Sequence, residues 1–263
     1  QPYPSLMKEQ AVADVWKQFA DWDLIIEAYN NSSHVSACVG AFYEPWYYEW
    51  QDYFQVQVEQ CLQGQISADV AMDNAIAKIN ERGDCSDFYL TGLLGAMYRY
   101  MSNPAFPEQL KHPLEECVLN FRYWLDEPGE DAMCYTTENH SILFHTCEIL
   151  AGQLYPDRVF TNSGQSGHWH REKGERLALE WLRKRGRCGF REWDSNCYFE
   201  EDLLALSHLA DLAESVEVSE LAAILMDKLF FTMAINSYKG AFGSTHGRTY
   251  TPLILGSQLE STS

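Results

Sequence analysis

What this sequence has least of is positive charge. Its 263 residues carry 19 Lys and Arg against 38 Asp and Glu, a net charge of -19. Non-specific binding to nucleic acid or anionic membranes needs a basic footprint, so neither partner is expected. Long apolar runs are also missing: none approaches the roughly 20 residues of a membrane-spanning helix. The eight cysteines (Cys38, Cys61, Cys85, Cys117, Cys134, Cys147, Cys188 and Cys197) include no C-x-x-C and no zinc-finger spacing, so free thiols are expected ahead of disulfides and no metal site is expected. Alternating β-branched runs are nearly absent, which removes the usual sign of a half-buried sheet. No basic-then-apolar segment opens the chain and its first residue is not Met. A removed leader and an excised fragment are both compatible with that start, so compartment is not read from it.

What is present is a globular composition, 46% apolar and 14% aromatic, in a chain long enough for one large domain or two small ones. A soluble protein is expected. Apolar periodicity near 3.6 predicts helices over about 7-29, 44-64, 67-82, 86-103, 107-125, 138-154, 167-186, 197-214 and 217-238. Punctuation agrees: Ser67 is a capping residue, Pro107 sits near a helix start, Asp126-Glu127-Pro128-Gly129 is a break, and Gly186 and Gly189 follow a basic last turn. The fold class expected is all-α, built of antiparallel helical hairpins.

Short connections between the later helices imply antiparallel neighbours. Helices 138-154 and 197-214 then start at the same end of the bundle, where the loop 187-196 and the segment after residue 238 also lie. The linker 155-166 lies at the opposite end. Nine of the 19 cationic residues fall between Arg158 and Arg191. The cluster Arg183-Lys184-Arg185-Arg187 is by default a solvated helix end that complements the dipole, and it points toward the shared end.

A seam is expected near residue 83. Residues 1-82 hold four Lys or Arg against twelve Asp or Glu, and "EPWYYEWQDYFQVQVEQCLQGQISADVAMDNAIAKINE" has a distinct cadence. That stretch resembles the C-terminal helices of extracellular sugar-binding proteins of bacterial ABC importers. Both sugar-clasping lobes of that family are missing, so the resemblance implies a helical extension with no transport role. The domains expected are 1-83 and 84-263.

The shared end gathers unusual residues. In "CYTTENHSILFHTCEI", Thr136 or Thr137 caps the helix and puts Glu138, Asn139 and His140 in its first turn. Free N-H groups and the positive dipole end there favour an anion and a neutral imidazole. Ordinary capping alone also accounts for an Asn and a Glu at a helix start. In "GFREWDSNCYFEEDLLALSHLADL", Asp194, Ser195 or Asn196 is a cap, Tyr198 stands near the helix start, and Glu192, Trp193 and Asp194 lie in the preceding loop. The loop "KGAFGSTHGRTY" adds His246 and Arg248, and Gly240, Gly243 and Gly247 leave it free to approach a ligand closely. An amide, an imidazole, a phenol, carboxylates and an arginine, in a chain with eight Trp and fifteen Tyr, suit a carbohydrate site.

The Asn139-His140 pair, followed some sixty residues later by "GFREWDSNCY", resembles the α/α-toroid polysaccharide lyases of the heparinase II/III and alginate-lyase kind over about residues 84-250. The resemblance implies an α/α toroid, here an incomplete one of about three hairpins, and β-elimination on a uronic-acid polysaccharide or oligosaccharide. In that reading Asn139, with Arg248, binds the sugar carboxylate and stabilises enolate-like charge. His140 or Tyr198 removes the C5 proton and Tyr198 returns one to the leaving oxygen. A phenol of pKa about 10 needs a cationic or hydrogen-bonding neighbour for this, for which Arg191, Arg248 and His246 are candidates. No cofactor is implied. The two resemblances together imply an extracellular or periplasmic setting.

Two rivals stand beside the lyase. A glycoside hydrolase on the same scaffold would use Glu138 with Glu192 or Asp194 as its paired carboxylates. A non-catalytic module would bind glycan or another chain, with Asn139, His140 and Tyr198 engaged with one another or buried. His168 and His170, two apart on a helix, face different ways and share no metal there. His145 and Cys147 are expected to pack in the core. Open hairpins leave apolar faces to cover, which makes a homo-oligomer an expectation.

Overall fold

The structure is a computed structural model and describes residues 65-239, 241-243, 245-251 and 253. The helices expected over 7-29 and 44-64, together with Cys38 and Cys61, lie outside the described residues. Seven helices and one two-stranded hairpin make up what is described, and the fold is all-α. They are α1 (Ala68–Asn80), α2 (Ser86–Tyr100), α3 (Glu108–Asn120), α4 (Glu138–Leu154), α5 (Gly167–Cys188), α6 (Phe199–Leu212), α7 (Val216–Asn236), β1 (Ser237–Tyr238) and β2 (Ala241–Phe242). The chain divides into two compact units between Gln65 and Ile66. Helix α1 therefore falls in the later unit, where it packs on α2 and α3, although charge pattern and resemblance had drawn the seam near residue 83.

Local chemistry sets most helix ends. The Ser67 hydroxyl accepts from the Val70 amide (3.3 Å) and Ser166 accepts from Trp169 (3.3 Å), so each satisfies an orphan donor of the first turn. Gly189 ends α5 with φ of 77°, a conformation that favours glycine, whereas Gly186 lies inside the helix. The expected cap of α6 is corrected. Tyr198 stands at the N-cap without a side-chain cap bond, because the Ser195 hydroxyl donates instead to the Arg248 carbonyl (3.0 Å).

Helix α4 is buried on nearly every side, its polar residues Glu138, Asn139, His140, His145, Thr146 and Glu148 included. It packs against α2, α5 and α6, while α7 packs against α5 and α6. Side chains such as Ile142, Leu143, Leu182, Phe199, Leu206 and Leu225 fill the space between them. This is the layering of helical hairpins laid side by side. The α4–α5 crossing is very close. A Cβ on Gly152 would lie 2.5 Å from the Gly167 carbonyl oxygen and 2.6 Å from the Arg171 amide nitrogen, and one on Gly174 would lie 3.0 Å from the Ile149 nitrogen. The six described cysteines are free thiols. No described helix is long and apolar enough to cross a membrane.

Candidate functional site

The end of the bundle that carries the start of α4 also carries the α5–α6 loop and the segment after β2. Glu138 makes the first junction: its two carboxylate oxygens accept the backbone N–H groups of Arg191 and Glu192 (3.0 Å each), and Oε1 pairs with Nε of Arg185 (2.7 Å). Two backbone donors and an ion pair thus commit this buried side chain to holding the loop on the helix. Gly247 makes the second junction by donating to the Trp193 carbonyl (2.8 Å), and its own Cβ would strike Trp193 at 2.9 Å. The glycine freedom expected to serve a ligand serves this loop-to-loop contact. His246 donates through Nδ1 to the Asp194 carbonyl, and Asp194 itself is left-handed at φ of 50°.

Between these junctions lies a polar network around Tyr198. The Arg248 guanidinium sits over the Tyr198 ring, 4.1 Å from its centroid. It donates to the Tyr250 hydroxyl (2.8 Å) and to Oε1 of Glu192 (3.2 Å), and the Tyr198 and Tyr250 hydroxyls are hydrogen-bonded at 2.5 Å. Burial works against the Arg248 charge, but the Tyr198 and Tyr250 phenols and the Glu192 carboxylate outweigh it and hold its pKa above the ordinary range. Trp193 is 55% exposed beside this network. Beneath it, Asp202 in the first turn of α6 is buried, and burial together with Glu138, Glu192 and Glu201 drives its carboxyl well above the usual range despite Arg185.

Asn139 and His140 lie deeper. Asn139 is 0% exposed, and neither atom of its amide has a hydrogen-bond partner among the described residues. His140 is 6% exposed; its Nδ1 is 2.8 Å from Oδ2 of Asp87, and its ring stacks on Phe88 at 4.8 Å. Asp87 is fully buried, and burial raises its carboxyl despite the hydrogen bond and charge of His140. The structure therefore brings Glu192, Trp193, Tyr198, Arg248 and Tyr250 together, joins Asp194 and His246 to each other alongside, and sets Glu138, Asn139 and His140 behind them in the packed interior.

Sequence reasoning missed Asp87, Tyr250 and Asp202, and it read Arg185 as part of a solvated helix end, whereas Arg185 is buried and paired with Glu138. Asp87 and Asp202 read as ordinary acidic first-turn residues, and only packing showed them buried. It also missed a second cluster around His170. Glu127, Glu148, His170 and Lys173 are buried together, with the Lys173 ammonium 3.0 Å from Glu127 Oε1 and 3.1 Å from Glu148 Oε1. Nδ1 of His170 is 2.8 Å from Glu148 Oε1, and its Nε2 is 2.6 Å from the Ser163 hydroxyl. The ammonium takes the place a metal ion would have between those carboxylates. A lone Glu inside the apolar run "ILFHTCEIL" was the available signal. His168 is exposed while His170 is buried, as the i, i+2 spacing required, and His145 and Cys147 pack in the core.

A hollow of about 500 Å³ lies elsewhere, between α1, α3 and the segment at Arg158 and Thr161, and none of the expected site residues lines it. No family model, curated protein or solved structure matches the chain.

Proposed function

We propose that the rim around Tyr198 takes an anionic sugar and that the protein is a polysaccharide lyase acting by β-elimination on a uronic-acid glycan. The observation that carries this reading is the Arg248 guanidinium stacked 4.1 Å over the Tyr198 ring while the phenol is bonded to Tyr250. A fixed cation then lies against the ring that takes up negative charge when its proton leaves. Tyr198 would abstract the C5 proton and return one to the leaving oxygen. Arg248 would also meet the sugar carboxylate, Trp193 would offer a stacking face, and Asn139 would supply an uncommitted amide if the substrate reaches it. Glu138, committed to two loop amides and an ion pair with Arg185, supports the hydrolase reading poorly. An extracytoplasmic setting and self-association belong to the same proposal; the exposed Ile224, Phe231 and Ile235 of α7 support the latter.

A specific observation favours a second reading, non-catalytic glycan binding: Asn139 and His140 are buried in the packed interior. Ultraviolet absorbance during incubation with a panel of uronic-acid polymers separates the two. The lyase predicts an unsaturated-uronate signal that Tyr198→Phe and Arg248→Met abolish. Binding of the same polymers by calorimetry without that absorbance would establish the second reading in its place.

A further inference from the structure

A ring nitrogen of His140, the Cys85 sulfur and an Asp84 carboxylate oxygen all lie within 4.8 Å of one another. We propose that Asp84, Cys85 and His140 bind a zinc ion, with Asp87 holding the imidazole in place. This assigns His140 a ligand's role and does not depend on the chemistry proposed for Tyr198. Thiolate, imidazole and carboxylate are together a donor set that suits zinc, and three protein ligands leave a fourth position for water or an anion. Zinc bonds of about 2.0–2.3 Å need the three side chains to draw in by roughly an ångström.

Three further observations point the same way. The first is the Asp87–His140 contact of 2.8 Å at Nδ1, which leaves Nε2 as the nitrogen for a metal; a buried carboxylate on the opposite ring nitrogen is how metal-binding histidines are oriented. The other carboxylate oxygen of Asp87, Oδ1, is buried without a partner. The second is the lack of a competing cation. Among the described residues no Lys or Arg is paired with Asp84 or Asp87, in contrast to the Glu127–Glu148–His170 cluster, where the Lys173 ammonium lies between the carboxylates. The third is the turn itself. Arg82 (φ 48°) and Cys85 (φ 64°) are both left-handed non-glycine residues, a conformation that persists where the surroundings over-determine it. The Cys85 amide donates to Asp84 Oδ1 (3.1 Å), and Cys85 heads α2 without a side-chain cap bond, so its sulfur is not spent on the helix.

The test is cobalt titration of the untagged full chain after chelator treatment, read by absorbance and followed by zinc competition. An equimolar amount of cobalt should bind with intense tetrahedral ligand-field bands and a thiolate-to-cobalt charge-transfer band, and zinc should displace it. Cys85→Ser should remove the charge-transfer band. Asp87→Asn should keep that band and weaken binding about 10–100-fold. Absence of the cobalt spectrum, or an unchanged spectrum in Cys85→Ser, would overturn the site. If circular dichroism shows that Cys85→Ser does not fold, Asp84→Asn at the exposed position decides it: weakened cobalt binding supports the site and unchanged binding overturns it.

Discussion

Single residues in this protein take their meaning from what they are buried against. Lys173 would read as a surface cation on α5, yet its ammonium lies between Glu127 and Glu148, and burial pushes the Glu148 carboxyl up to about 8 even though Lys173 opposes the shift. Lys173→Met would leave two buried carboxylates without a cation. The expected loss is about 3–5 kcal/mol in urea unfolding, and it should be larger above about pH 8 than near pH 5, because protonation of Glu148 relieves the repulsion. Equal losses at both pH values would show that the ammonium is not the counter-charge. Asn139 makes the converse point. Its place at the head of α4 was legible from "TTENH", but its burial was not, since a first-turn amide is as common on a surface as beneath a loop.

At the scale of elements, close contacts between neighbours govern stability and the shape of the rim. The α4–α5 crossing leaves no room for a methyl group at Gly152, where the atoms in the way are backbone. Gly152→Ala should lower stability by about 1–3 kcal/mol in denaturant unfolding, despite the better helix propensity of alanine. The latch at Glu138 is a second such contact. Glu138→Ala removes the acceptor for two loop amides and leaves the buried Arg185 without its carboxylate partner, so about 3–5 kcal/mol should be lost. Hydrogen exchange at the Arg191 and Glu192 amides should accelerate more than exchange in the core of α4, and uniform acceleration would argue against a local latch. The start of α4 was readable because a capping threonine is followed by a polar first turn and then by apolar residues at helical spacing. The start of α6 was not, because three good capping residues precede it and the tertiary contact of Ser195 with Arg248 removed one of them from that use.

For the whole molecule, buried histidines shape the response to acid. Burial lowers His145 to about 3, aided by Lys173 and Arg176, and burial lowers His170 to about 4 against the pull of Glu127. Both folded values lie below the unfolded value of about 6.5, so between them the unfolded chain binds more protons. Their contribution is complete above about pH 6.5 and is lost as pH falls through about 4 and then about 3. His145→Phe should therefore flatten the acid limb of a stability–pH curve measured by thermal unfolding, and an unchanged limb would remove His145 from the account. Within the described residues the sequence by itself determined the helices, the order in which they come and the end at which the unusual residues gather, because periodicity and capping are local and short loops force antiparallel return. Only the tertiary structure decided which of those residues are committed: Glu138 to a loop, His140 to Asp87, Arg248 to two tyrosines and a glutamate. Such partners come from helices far apart in the chain, and their pairing depends on side-chain packing between α2, α4, α5 and α6 that no single stretch of sequence encodes.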